Sequence, residues 1–116
     1  MDINGEFDVA KIPPEVKELI ISLTFEDIKA ILELYKFEEE HWDELQDLGG
    51  WSYYDFKEEL FRIVSPAQIR KFLRLGIVKR GYTSSKIKCF WLNREIVEPL
   101  LVYWYWLQKT KEIEGE

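Results

Sequence analysis

The sequence predicts a mainly α-helical domain carrying one small β-hairpin, an α+β fold, on three observations. Apolar residues recur at i, i+3 and i+4 in successive stretches, the spacing of amphipathic helices. Capping residues stand where those stretches open. Between residues 77 and 92 the pattern changes to two runs rich in β-branched and aromatic side chains around a Gly-, Thr- and Ser-bearing turn. At 116 residues and 47% apolar, the chain fits one domain, 1–116, with a sizeable core.

Residues 1–13 show no sustained periodicity and close on Pro13 and Pro14, so they read as an arm before the N-terminal helices of 14–48. Pro14 suits a first helical position, and Val16, Leu19, Ile20 and Leu23 form one apolar stripe. Thr24 followed by Asp27 is a capping-box variant that opens the next helix. Its stripe runs through Ile28, Ile31, Leu32, Tyr35, Trp42, Leu45 and Leu48 with no glycine or proline before Gly49. One long helix is expected, kinked if anywhere near Phe37, with Glu38, Glu39 and Glu40 on a solvated face.

Gly49 and Gly50 break that helix, and Ser52 with Asp55 marks a new start, giving a helix over 53–62 with Tyr53, Phe56, Leu60 and Ile63 inward. Ser65 is a good N-cap, Pro66 suits the first turn, and Gly76 supplies the left-handed residue that ends a second short helix, 65–75. Ile69, Phe72 and Leu73 form its dry stripe. Ala67, Lys71 and Arg74 line the opposite side, flanked by Gln68 and Arg70. Two short helices joined by a tight turn make a helix-turn-helix. Residues 77–82 and 87–92 then read as hairpin strands with the turn at 83–85.

Asn93 is a fair N-cap for a C-terminal helix, 94–113, in which Pro99 marks a kink or a late true start. Residues 100–107 are apolar around the whole circumference, and a run of eight is too short to cross a bilayer. Two readings stand: a core helix wrapped by the long helix through Tyr35, Trp42 and Leu45, or a homodimer interface anchored by Tyr103, Trp104, Trp106 and Leu107.

Charge is segregated. Residues 62–94 hold nine of the sixteen Lys and Arg and no Asp or Glu, so this segment is +9 while the chain as a whole is −6. A cationic surface on an acidic body points first to a polyanion.

Residues 51–93 resemble the winged helix-turn-helix superfamily of DNA-binding regulators, and among them small archaeal or archaeal-virus regulators. The resemblance rests on the aromatic-rich first helix, the Ser-capped second helix, the junction Leu73, Arg74, Leu75, Gly76, Ile77, Val78, Lys79, Arg80, Gly81, and the closing strand Cys89, Phe90, Trp91, Leu92. It implies that Gln68, Arg70, Lys71 and Arg74 face the major groove, and that Lys79, Arg80, Lys86 and Lys88, on the hairpin wing, face the backbone or minor groove. A dimer would set two such helices about 34 Å apart, one turn of DNA. The expected function is sequence-specific binding of double-stranded DNA in transcription regulation. The alternative is a winged-helix protein-interaction module of a transcription or replication assembly, using the acidic surface.

Other classes are disfavoured by what is missing. His41 and Cys89 have no nucleophile or base at an interpretable spacing, so no catalytic residue and no enzyme is expected. One histidine and one cysteine do not supply four zinc ligands, so no metal and no cofactor is expected. An acidic N-terminus without an apolar core segment reads as no signal peptide, and with no run of about 18 apolar residues the expectation is a cytoplasmic protein without a membrane span.

Overall fold

Proline sets the first helical boundary. The structure, a computed structural model, describes residues 11–81 and 88–114 and, of these, the side chains as far as residue 110. Helix α1, Pro14–Ser22, begins on Pro14 and buries Val16 as it packs along the C-terminal helix. Helix α2, Phe25–Glu40, is held at its start by a reciprocal cap: Thr24 Oγ1 accepts from the Asp27 N–H at 3.1 Å, and Asp27 Oδ2 accepts from the Thr24 N–H at 3.0 Å. It buries Ile28, Ile31, Leu34 and Phe37 and is the central element, touching three other helices.

The expected long helix is two helices. The chain leaves helical geometry at His41 and resumes as α3, Trp42–Leu48. No glycine or proline stands at the break; the His41 ring lies 4.5 Å from Phe37 and 5.3 Å from Phe56, between the Glu44 and Glu59 carboxylates.

Gly49 ends α3 in the left-handed conformation, and Gly50 follows at φ +135°. A Cβ on Gly50 would lie 2.6 Å from the Phe90 carbonyl oxygen, so glycine is what lets this segment close on the hairpin. Trp51 then forms a one-residue bridge: its N–H donates to Phe90 O at 2.9 Å, and the Phe90 N–H donates to Trp51 O at 2.8 Å.

Ser52 and Asp55 cap a turn, not a helix, and α4 runs Lys57–Ile63, four residues later than the spacing predicts. Tyr53 is held in that turn because its hydroxyl donates to Val64 O at 2.8 Å, across the link to the next helix. Helix α5, Pro66–Arg74, opens on a full Ser65–Gln68 capping box and buries Ile69 and Phe72. Gly76, at φ +78°, ends it with paired bonds from the Gly76 N–H to Leu73 O and from the Ile77 N–H to Phe72 O.

Strands β1, Val78–Arg80, and β2, Phe90–Leu92, pair antiparallel with Val78 opposite Leu92 and Arg80 opposite Phe90. Both are shorter than the runs that predict them, and the expected turn lies outside the described residues. Helix α6, Arg94–Glu114, carries Pro99 inside it. Its start is at Arg94, not late: the missing Pro99 N–H orphans a carbonyl in the first turn. The Asn93 carbonyl accepts from Ile96 and Val97, while its side-chain amide donates to Gly76 O at 3.1 Å.

Ile31, Leu34, Leu45, Trp51, Leu60, Phe72, Ile77, Leu92 and Leu100 are fully buried and, with Val78 of β1, join α2 to α6 and the hairpin into one core, which α1 extends through Val16. The fold is mainly helical with a small two-stranded antiparallel sheet, as the sequence predicts.

Candidate nucleic-acid interface

Helix α5 is tied to Asp27, which is almost wholly buried at the start of α2. Lys71 Nζ lies 2.6 Å from Asp27 Oδ2, and Gln68 Nε2 donates to Asp27 Oδ1 at 3.2 Å. Burial works to raise the Asp27 carboxyl. The bonds from Lys71, the Thr24 N–H and Gln68, with the Lys71 charge, outweigh it and hold the group below the usual aspartate range. Gln68 and Lys71 are therefore turned toward the body, which departs from their expected outward placement. The exposed line of α5 is instead Ala67, Arg70 and Arg74, at i, i+3 and i+7.

The hairpin divides the remaining cations because side chains alternate across a strand. Arg80 shares a face with Val78, Phe90 and Leu92, while Lys79 lies opposite Trp91 on the other face. There Lys79 lines a hollow with Trp42, Trp91 and Arg94. Lys88 is exposed on the Arg80 side. Lys86 lies outside the described residues.

Arg70, Arg80 and Lys88 thus converge on one groove of about 430 Å³ between α5 and the hairpin. Its floor is Ile69, Leu73 and Phe90, and Tyr54 stands at its edge, 77% exposed. No carboxylate lines this groove among the described residues, and Arg70, Arg74, Arg80 and Lys88 take part in no ion pair with a described group. Such a surface favours an anion by Coulomb attraction from several uncompensated charges.

Glu38, expected on a solvated face, is fully buried and ties the hairpin to the helices. Its Oε2 accepts from the Trp51 indole N–H at 2.7 Å and the Leu92 N–H at 2.6 Å, and its Oε1 accepts from the Arg94 guanidinium at 3.3 and 3.4 Å. Burial pushes this carboxyl up against the pull of those donors. Arg94 also meets Glu39 and stacks on the Tyr35 and Trp42 rings, 4.6 and 4.7 Å from their centroids. The signal was present: Glu38 follows Ile31 and Leu34 at i+7 and i+4, on the buried stripe.

Cys89 is buried and its thiol donates to Gly49 O at 3.2 Å; burial pushes the thiol up. Among the described residues, no group of His, Cys, Asp and Glu is arranged to hold a metal, and no helix is long and apolar enough to cross a membrane.

The aromatic part of α6 is covered on one side by α1. Tyr103, Trp104 and Leu107 are half-buried, and Trp106, more exposed, stacks on Tyr103 at 6.1 Å. Trp104 and Leu107 border an apolar groove of about 350 Å³ with Leu23, Phe25 and Ile28. Tyr35 and Trp42 do not wrap these aromatics. They lie nearer the start of α6, Tyr35 donating to Glu98 at 3.3 Å and Trp42 packing on Trp91 at 5.6 Å.

Comparison of the chain with protein-family models, with curated proteins and with solved structures returns no match.

Proposed function

We propose that this protein binds double-stranded DNA as a sequence-specific transcriptional regulator of winged helix-turn-helix type. The observation that carries the reading is the gathering of Arg70, Arg74, Arg80 and Lys88, all without ion-pair partners among described groups, around one exposed helix. The order of elements supports it: a helix, a Trp51 bridge, two short helices joined by a turn, and a hairpin whose second strand takes the bridge.

In this reading α5 enters the major groove with Arg70 and Arg74 toward base edges, where a good bidentate pair gives about 1–3 kcal/mol of discrimination. Arg80 and Lys88 meet phosphates, which position without specifying sequence. Gln68 and Lys71 hold α5 at its angle and are not readers. Lys79, on the far face of the hairpin, is left out of the contact.

The apolar end of the molecule supports a homodimer through α6. Phe25, which lines the groove with Trp104 and Leu107, is 68% exposed. Large apolar side chains gathered on one face exceed what monomers usually leave in water. A second copy, presenting the same face, covers it symmetrically.

The test is fluorescence anisotropy with a labelled duplex at several salt concentrations. The two phosphate contacts, from Arg80 and Lys88, give a log-log slope of roughly −0.9 each. Absence of salt-dependent binding to any duplex rejects the reading.

A further inference from the structure

The groove beside α5 is built for more than a phosphate chain. Its rim is cationic, from Arg70, Arg80 and Lys88, but its floor is apolar, from Ile69, Leu73 and Phe90. Phosphates alone gain nothing from an apolar floor. Tyr54 stands at the edge of that floor with 77% of its surface in water, and among the described residues its ring has no aromatic neighbour and its hydroxyl no hydrogen-bond partner. The adjacent Tyr53 shows the contrast: its ring stacks on Phe61 at 4.5 Å and its hydroxyl is bonded to Val64 O. One tyrosine of the pair is anchored, and it fixes the backbone that presents the other.

A ligand that satisfies both halves of this groove carries negative charge and a flat apolar face on the same unit. An unpaired nucleotide does. Stacking of a base on an aromatic side chain contributes about 1–3 kcal/mol and tolerates any base, because each has a π-face. At about 430 Å³ the groove has the volume of a small-ligand site, commonly about 300–1,000 Å³.

Resting on the DNA-binding reading above, we propose that this groove holds one unpaired nucleotide, its base stacked on Tyr54 and its phosphate between Arg80 and Lys88. The preferred target is then a duplex adjoining a single-stranded segment. An unbroken duplex supplies the phosphates but no free base.

The experiment compares three labelled probes on the full chain: a blunt duplex, the same duplex with a short oligo-dT extension, and oligo-dT alone. The extended duplex should bind more tightly than the blunt one. Tyr54→Ala should remove that advantage, a loss of about 5- to 150-fold on the extended duplex, while leaving the blunt duplex unchanged. Tyr54→Phe should keep it, since the ring and not the hydroxyl makes the stack. An extended duplex that binds no better than the blunt one overturns the proposal and leaves duplex binding standing, as does an equal loss on both probes in Tyr54→Ala. Failure of all three probes removes the DNA-binding reading and this inference with it. An acidic, tyrosine-bearing peptide that binds where oligo-dT does not would assign the groove to a protein partner instead.

Discussion

Lys71 Nζ sits 2.6 Å from Asp27 Oδ2, so Lys71 is held against the start of α2 and off the solvent line of α5. The spacing alone puts Ala67, Lys71 and Arg74 on that line. With Lys71 drawn to the start of α2, the line becomes Ala67, Arg70 and Arg74, and Arg70 joins Arg80 and Lys88 over the groove.

Lys71→Ala is therefore expected to act on stability and not on DNA contact. It leaves a buried carboxylate without its cation. Because Lys71 is itself partly exposed, the cost is discounted to about 1–3 kcal/mol. Chemical denaturation measures it. A normal melt combined with weakened DNA binding would mean that Lys71 leaves Asp27 to meet the nucleic acid.

Acid should expose the same pair. The folded Asp27 carboxyl is held below its ordinary value, so its contribution is complete above about pH 4 and is lost as pH falls through the lowered folded value. The stability difference between wild type and Asp27→Asn should be full at pH 7 and should shrink below about pH 4. A difference that does not change with pH would show that the pair contributes through packing alone.

Glu38→Gln should destabilise by about 1–3 kcal/mol. The amide keeps the volume and Arg94 keeps Glu39, but an N–H₂ is turned toward one set of donors and leaves them unpaired. A cost below about 1 kcal/mol, read from the same denaturation curves, would mean that the buried carboxylate is dispensable for holding the hairpin.

Two glycines make a matched pair. Gly76 has positive φ with nothing within 4 Å of an added Cβ, so Gly76→Ala should cost about 1–2 kcal/mol for the left-handed backbone alone. Gly50→Ala adds a clash with the Phe90 carbonyl and should cost more. Equal melting shifts in the two variants would contradict the bridge geometry at Trp51.

The homodimer predicts a light-scattering mass of twice 14.0 kDa at micromolar concentration. Phe25→Glu with Trp106→Glu should return it to one chain mass, since charges buried in an apolar interface are costly. A wild-type mass near 14.0 kDa would make the α6 aromatics part of a monomer.

Most helix starts were legible because they rest on local chemistry: Pro14 opens α1, Thr24 with Asp27 caps α2, and Ser65 caps α5, although Gln68, read as facing the groove, completes that last cap. The break at His41 was not, since no glycine or proline marks it and the Phe56 ring that meets His41 stands fifteen residues on. Ser52 misled because the same Ser-x-x-Asp chemistry that caps a helix also closes a turn. The cationic character of the site was readable from the segment 62–94, but its geometry was not. Two of those cations, Lys71 and Arg94, are taken by Asp27 and Glu38, and pairing over more than forty residues leaves no mark in local spacing.

The most direct measurement is the duplex affinity, on the preferred site and on a scrambled one, of Arg70→Ala with Arg74→Ala beside Lys71→Ala. If α5 meets DNA through its exposed line, the double variant should lose about 1–3 kcal/mol per arginine on the preferred site and much less on the scrambled one, while Lys71→Ala keeps wild-type affinity on both. An unchanged preference in the double variant, with its fold intact, would contradict the placement of α5 on the nucleic acid.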